Sequence, residues 1–528
     1  MAVSVVAAVV AAVFARSLGN GFVNWDDQVY VLDNPHIRAL DWGTVRWAFT
    51  DNYAAYWAPA VWLSFAVDHA FWGLQPHGYH LTNVLLHVAT AAIVCVFAAN
   101  VLAARRNAGR PWSPTREDLA GGVLVALLWG IHPLRVESVT WVTERKDVLS
   151  GLFSFWSMLS YLQWVNRRRT GTQAWPVPAA SLAALAVALC AKPLSVVVVP
   201  LLWILDWHPL ERDREGRLGK LVLEKVPHLL LCLGVGLLFM RAQQSAMPVP
   251  ASLQTKVYTA AKVLLDYVGM QLWPVHLVPL YPRTRTIPWG SPAHLLALAV
   301  LPAAAVLLVR WARRERALLA AGLWHLVSVG PMLGLLQVGP QEKADRYTYL
   351  ASLGLALLLA GASLQAWKRW SKPAARALLA GAWAVALITL AGLTVRQIGH
   401  WKDGVALWSH EIDVSPDVGY AWELRAKALA AAGESERAVA DLTQAIAIAQ
   451  AKGYAKTWEL YWAKGIVLAR MARDQEAVGA LTTAVRGAHP PPPDLLRRRG
   501  ESLRRLGRAD EATADFAAAD ALGRERTP

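Results

Sequence analysis

The sequence predicts an all-α protein in two parts: a polytopic transmembrane helix bundle, then a short α-solenoid. Three observations carry that prediction. Of the 528 residues, 55% are apolar and only 17% charged, and the mean hydropathy is +0.30. A soluble chain of this length needs more charge to cover its surface. Apolar runs near the length of a bilayer crossing recur along the first three quarters. The last quarter turns polar and Ala-rich, with a helical period that repeats.

The apolar runs fall near 1–17, 81–104, 119–134, 148–166, 174–191, 193–207, 226–241, 291–310, 317–338, 347–366 and 377–395. The 26 Trp suit interfacial belts, with core packing taking some of them. The first run lacks a basic flank. Small residues before Asn20 would suit a cleaved leader, but an uncleaved first helix is expected, because the residues just after it resemble a site that needs it. A further run, "VYTAAKVLLDYVGMQLWP" at 257–274, is ambiguous, and the basic loops decide it. Those loops are Arg105/Arg106/Arg110/Arg116, Arg167–Arg169, the block from Arg212 to Lys225, Arg313/Arg314/Arg316, and Lys368/Arg369/Lys372/Arg376. All reach the cytoplasm only if 257–274 lies on, or dips into, the outer face. About eleven crossings result, with the N-terminus inside and the chain leaving outside after residue 396. A re-entrant hairpin at 174–207 would keep that parity. The same loops absorb much of the +15 net charge, which in a soluble protein would have pointed to nucleic acid. Cys95, Cys190 and Cys232 sit inside apolar runs, at spacings that suit neither a disulfide framework nor a metal.

The division falls at 1–398 for the membrane part and 399–528 for an extracytoplasmic repeat part. Three units lie near 419–452, 458–489 and 493–523. Small residues at Ala426, Gly465 and Gly500 are followed twelve later by Ala438, Ala477 and Ala512, and seven after that by Ala445, Ala484 and Ala519. This is tetratricopeptide helix–turn–helix spacing, with small residues where paired helices touch. "HPPPPD" at 489–494 reads as a stiff break between units two and three.

With that topology the outer face collects ionisable residues. Asp26 and Asp27 stand just past the first apolar run, in "GFVNWDDQVY". Arg145, Lys146, Lys192, Lys343 and Arg346 lie on the same side, against the topological bias. Charges at a membrane edge are costly unless paired or used. Pairing with neighbours, such as Lys343 with Glu342, is the plain reading. The functional reading is an anionic lipid headgroup, whose phosphate oxygens Arg and Lys neutralise. A sugar on a polyprenyl phosphate presents a phosphate at the bilayer surface with its anomeric carbon just above. Asp26 or Asp27 would take the acceptor hydroxyl's proton, and the cations would hold the leaving phosphate. With the base opposite the leaving group, displacement inverts the anomeric centre.

At these residues the chain resembles the polytopic GT-C glycosyltransferases. It most resembles the transmembrane, tetratricopeptide-repeat-containing O-mannosyltransferases that modify cadherins in animals, together with their bacterial relatives. The stretches that carry the resemblance are "FVNWDDQVYVLDNPHI", "GYHLTNVLLHVATA", "HPLRVESVTWVTERKDVLSGLF", "AKPLSVVVVPLLWILD" and "ADRYTYLASLG", in the family's order and followed by repeats. The resemblance implies a GT-C-like bundle with a catalytic base in the acidic pair, Asp26 by preference. It implies donor-phosphate ligands at Arg145, Lys192 and Arg346, joined by Lys343 from its position. Asp147 stands with Arg145 in an Arg-x-Asp element. His80, His132 and Glu137 match motif positions of unassigned role, and the two His fit equally well as satisfied helix-end residues. Some relatives use a divalent metal, which Asp26, Asp27 and Glu137 would hold; a metal-free mechanism is the equal alternative. Arg283 and Arg285 fall in an outer loop that departs from the family pattern.

The resulting expectation is an inverting hexosyltransferase of a multi-pass bacterial inner membrane. It would move mannose from a polyprenyl-phosphate donor to Ser/Thr of exported proteins, which the repeats recruit. A glycolipid or polysaccharide acceptor is the near variant. A membrane-anchored repeat scaffold explains the tail but leaves the outer charges idle. A lipid-linked sugar transporter would want its charges at mid-membrane depth.

Overall fold

A computed structural model of the chain describes residues 1–54, 56–107, 109–172, 177–216, 218–242, 251–284, 287–312, 314–334 and 341–525. The described part is built almost wholly from helices. One short antiparallel pair, Tyr281–Pro282 with Gln341–Lys343, is the exception. Contacts divide the chain into two units, residues 1–22 with 26–402 and residues 23–25 with 403–528.

Five helices of the first unit are long and apolar enough to cross a bilayer: Ala2–Gly19, Pro76–Asn107, Leu218–Arg241, Pro292–Ala312 and Pro373–His400. Two bent pairs join them. Arg116–Gly130 meets Pro133–Thr140 at 63°, and Asp345–Ala351 meets Leu353–Arg369 at 50°. The chain is a multi-pass membrane protein. The other apolar runs form shorter or more polar helices than the expected eleven crossings would use. Arg145–Arg169 carries charge at both ends and serines at positions 150, 154 and 157. The 174–207 region gives helices of 13 and 10 residues, broken at Lys192–Pro193. At 1.5 Å per residue neither covers the ~30 Å apolar core alone.

Local signals explain the boundaries. Pro59 and Pro373 open helices, where a missing N–H costs nothing. Thr115 and Asp118 close a capping box on Arg116–Gly130. Arg105, Arg106, Arg167–Arg169, Lys368 and Arg369 occupy last turns, where cations meet the negative helix end. Both bends lie in segments carrying site candidates: His132 and Glu137 at one, Arg346 at the other. Broken helices in a membrane protein persist where protein or a cavity satisfies their freed backbone groups.

The second unit holds the helix Gly404–Val414 and three helix pairs: 419–431 with 435–451, 457–470 with 474–487, and 493–505 with 509–525. It starts at Asp403, slightly later than the composition shift near 399, and takes in Val23–Trp25. The small residues sit where helices touch. A Cβ on Gly465 would stand 2.5 Å from Leu481 Cγ, and one on Gly500 2.8 Å from Phe516 Cε1. Arg425 grips Asp441 with two bonds of 2.7 and 2.9 Å, and Arg499 repeats the grip on Asp515 at 2.7 and 2.6 Å.

Candidate functional site

The candidate site forms where four segments of the first unit meet. Asp26 and Asp27 open a helical turn that continues as the π-turn Gln28–Leu32, a conformation frequent at functional sites. The two carboxylates have different fates. Asp27 is buried and accepts the Thr143 backbone N–H at 2.9 Å and its hydroxyl. That bond ties the acidic turn to the short 3₁₀ turn Val142–Glu144. Asp26 is half-buried and makes no hydrogen bond or ion pair among the described residues. Burial raises its pKa; nearby Glu144 adds to the rise, and Lys146 and Arg346 oppose it.

Around Asp26 stands a buried chain of charges. Glu144 lies 3.2 Å from Lys146, 3.2 Å from Arg346 Nε and 3.8 Å from Lys192. Burial alone would lift the Glu144 carboxyl; Lys146, Arg346 and Lys192 overcome that and hold it down to about 2. Arg346 also binds Glu137, through its guanidinium and, at 2.7 Å, its backbone N–H. Lys192 pairs with Asp147, which accepts from Ser138 at 3.2 Å. Aromatic rings wall the cations. Lys146 lies 5.4 Å from both Tyr30 and Tyr56, and Arg346 lies 5.6 Å from Trp141. A small cavity of about 20 Å³ beside them is lined by Asp147, Lys192, Leu194, Arg346, Tyr347 and Leu350.

Of the residues singled out from sequence, Asp26, Lys192, Arg346, Glu137 and Asp147 join this chain of charges, and Asp27 anchors it. Arg145, expected beside the donor phosphate, is buried elsewhere. Its guanidinium binds Asp68 at 2.6 Å, Tyr79 O at 2.9 Å, Ser64 at 3.2 Å and Asn83. With that many partners it holds the helix start in place. Lys343 pairs with Asp266 over the Tyr281 ring rather than with Glu342. His132 caps the turn Pro133–Arg135, accepting from Leu134 N–H at 3.2 Å, and its other nitrogen lies 3.0 Å from Gln271 O. His80 is buried with Nε2 3.3 Å from Gly21 O. Arg283 donates to Gly334 O at 3.2 Å, and Arg285 lies outside the described residues.

Two participants were missed. Glu144, the hub, was unassigned, and Lys146 was noted only as an outer-face cation. Their signal is the run "TERKD" at a helix start. Adjacent helical residues point about 100° apart, so only one of Arg145 and Lys146 can face the acidic turn. Among the described residues no group of three or more His, Cys, Asp or Glu is placed to hold a metal ion. Asp27 and Glu137, two of the three envisaged ligands, are engaged by Thr143 and Arg346.

No protein-family model matches the chain. Over 303 residues, 53% of this chain and 29% of the relative, it is 28% identical to the protein O-mannosyl-transferase Tmtc2 of Drosophila melanogaster. It is 32% identical to the Xenopus laevis protein O-mannosyl-transferase tmtc2 over 134 residues, 25% of this chain and 14% of that one. It is 27% identical to the Mus musculus protein O-mannosyl-transferase TMTC3 over 207 residues, 37% of this chain and 20% of that one. The matches span less than a third of these relatives' lengths. Among solved structures the chain is similar to ArnT from Cupriavidus metallidurans bound to undecaprenyl phosphate. The TM-score is 0.39 and the identity 17%, covering 79% of this chain and 80% of that one.

Proposed function

We propose that the protein is an inverting membrane glycosyltransferase that moves a hexose, mannose by similarity, from a polyprenyl-phosphate donor to Ser/Thr hydroxyls of exported polypeptides. The observation that carries this reading is Asp26. It is a half-buried carboxylate without a bonding partner among the described residues, beside a row of cations. A buried charge left unpaired costs stability and persists where it is used. The similarity to protein O-mannosyl-transferases supports the reaction class and the acceptor.

In this mechanism Asp26 takes the proton of the acceptor hydroxyl as the oxygen bonds to the anomeric carbon. The bond from that carbon to the phosphate oxygen breaks, and its electron pair leaves with the polyprenyl phosphate. Lys192 and Arg346, which line one small cavity, offset the charge that grows on the phosphate. Lys146 opposes the rise that burial imposes on the Asp26 carboxyl and so favours the ionised base. Glu137, Glu144 and Asp147 fix the cations in place. No step runs through a metal. An apolar groove of about 470 Å³, with Leu128, Trp129, Leu355, Leu359, Trp383 and Leu390 in its walls, suits the prenyl tail. Its Trp129 donates to Tyr349 O at 2.8 Å, and Tyr349 lines the small cavity beside Lys192 and Arg346. This link supports a reading in which the tail and the phosphate bind side by side. The site faces the outer leaflet, and the repeat unit takes up the acceptor polypeptide as a tetratricopeptide stack does.

The test is transfer of radiolabel from polyprenyl-phosphate mannose to a Ser/Thr-rich peptide by the purified protein, wild type against Asp26→Asn. Label on the peptide with wild type alone supports the reading. Equal transfer by both removes Asp26 as the base.

A further inference from the structure

Five buried cations described in the first unit, Arg145, Lys192, Arg212, Lys225 and Arg346, each pair with a carboxylate. Arg135, in the turn Pro133–Arg135 of the same unit, is fully buried and forms no ion pair among the described residues. Its Nη2 donates to the Thr348 hydroxyl at 2.5 Å, while Nε and Nη1 have no hydrogen-bond partner among the described residues. The guanidinium instead lies over two rings, 5.2 Å from the Tyr349 centroid and 5.6 Å from that of Trp129. The acids that act on it through space, Asp147 and Asp345, are already engaged, by Lys192 and by the Tyr281 hydroxyl at 2.9 Å. Taking a guanidinium out of water without a counter-charge is costly, and such a group in a native fold calls for a role.

Position and charge balance point to that role. Trp129 walls the apolar groove, and Tyr349 lines the small cavity with Lys192 and Arg346. Arg135 therefore lies over one ring from each hollow. In the row beside the cavity, Lys146, Lys192 and Arg346 are matched by Glu137, Glu144 and Asp147, and Asp26 adds one carboxylate more. Such a row can grip phosphate oxygens, yet it brings no net positive charge to receive them. We propose that Arg135 supplies the positive charge that compensates the phosphate of the lipid donor, acting across the Trp129 and Tyr349 rings. The inference rests on the polyprenyl-phosphate reading above and adds a residue to it. A sugar phosphodiester carries a single negative charge, whereas the polyprenyl phosphate that leaves is a monoester carrying about 1.5 to 2 at neutral pH. A fixed cation stabilises the departing group more than the bound donor, which is the condition for lowering the barrier.

The test measures, with the full-length protein in detergent, the binding of three lipids that share one prenyl tail: polyprenol, polyprenyl-phosphate mannose and polyprenyl phosphate. In Arg135→Met the loss of affinity should grow with the charge of the ligand. Polyprenol should bind as it does to wild type, polyprenyl-phosphate mannose about 10-fold more weakly and polyprenyl phosphate about 30- to 100-fold more weakly. Arg135→Lys keeps the charge and should hold phosphate affinity within about threefold of wild type, while Arg135→Gln should behave as Arg135→Met. The Lys and Gln variants preserve the comparison should Arg135→Met not fold. The thermal midpoint of the unliganded Met variant should not fall, since an unpaired buried charge has been removed. Equal weakening of all three lipids, polyprenol included, would make Arg135 a packing residue and overturn the proposal. Unchanged phosphate affinity in Arg135→Met and Arg135→Gln would overturn it too, and would leave the donor reading intact if wild type prefers the phosphate to the alcohol. Wild type binding polyprenol as tightly as polyprenyl phosphate would remove the donor reading and this inference with it.

Discussion

Two of the buried charge clusters described in the first unit differ in one respect. In the first, Tyr161, Asp206, Arg212, Glu224 and Lys225 form a closed set. The Tyr161 hydroxyl donates to Asp206 at 2.8 Å and accepts from Arg212 at 2.7 Å and Lys225 at 2.6 Å. Arg212 also reaches Asp206 at 3.1 Å and Glu224 at 2.8 Å, and Lys225 pairs with Asp206. Two cations face two carboxylates. In the second cluster Lys146, Lys192 and Arg346 face Glu137, Glu144 and Asp147, and Asp26 is a fourth carboxylate in excess. The closed cluster joins the helices Arg145–Arg169, Val198–Trp207 and Leu218–Ala242. It reads as a clasp. The open cluster keeps one charge in reserve, and two of its cations line a cavity. Balance of charge and number of partners distinguish a structural network from a site, where burial alone does not.

The largest effect expected from this difference is in the open cluster. Asp26→Asn should lower transfer by about 10²- to 10⁴-fold, the usual worth of a positioned base, without lowering the thermal midpoint. Burial raises this carboxyl, so its charged form is disfavoured in the fold. Stability from Asp26 is greatest in acid and declines as pH rises from the ordinary 3.8 through the raised folded value. The Asn variant should therefore be at least as stable at neutral pH, and a fall in its midpoint would make Asp26 structural.

The opposite pattern is expected in the clasp. Lys225→Met leaves Asp206 short of a partner and should cost about 3–5 kcal/mol of stability, read by unfolding in detergent. Turnover per folded molecule should not change. Loss of turnover at full stability would dissolve the distinction between the two clusters.

A smaller effect sharpens the comparison through pH. The base is lost as pH falls through the raised Asp26 pKa, so the acid limb of kcat/KM should lie above the ordinary carboxylate range near 3.8. Lys146→Gln removes a cation that opposes the rise, so that limb should move to higher pH. A limb that stays put would separate Lys146 from Asp26. The smallest effect concerns Glu144, whose pKa is held to about 2. Its pairing contributes stability above the ordinary 4.5, lost as pH falls from there toward 2. A midpoint that is flat across that window would show its cations to be dispensable.

Much of this was legible in the residues. The apolar runs and the Ala/Gly periodicity gave the two parts, because both are local patterns that hydropathy and helical spacing dictate. The acidic pair, Lys192 and Arg346 were legible because charge at a membrane edge is conspicuous. Arg145 was misplaced because adjacent helical positions diverge by about 100°. Which of two neighbouring cations turns inward depends on Asp68 and Asn83, both distant in sequence. In the 174–207 region the break at residue 192 was legible, but the helices came out shorter than the apolar runs, because Pro178 stands at the start of one and the 3₁₀ turn Pro193–Val197 takes up the start of the other.

The sequence by itself determined a membrane-embedded helical chain, a recurring Ala/Gly spacing in its last quarter and a set of ionisable residues between the apolar runs, since each arises from composition and short-range spacing. Tertiary structure alone decided that Asp27 is an anchor while Asp26 lacks a bonding partner among the described residues, that Glu144 is the hub, and that Val23–Trp25 belong to the second unit. Those outcomes depend on which side chains are brought within about 3 Å of one another across separations of up to 400 residues. Local periodicity carries no information on such pairings, and packing supplies it.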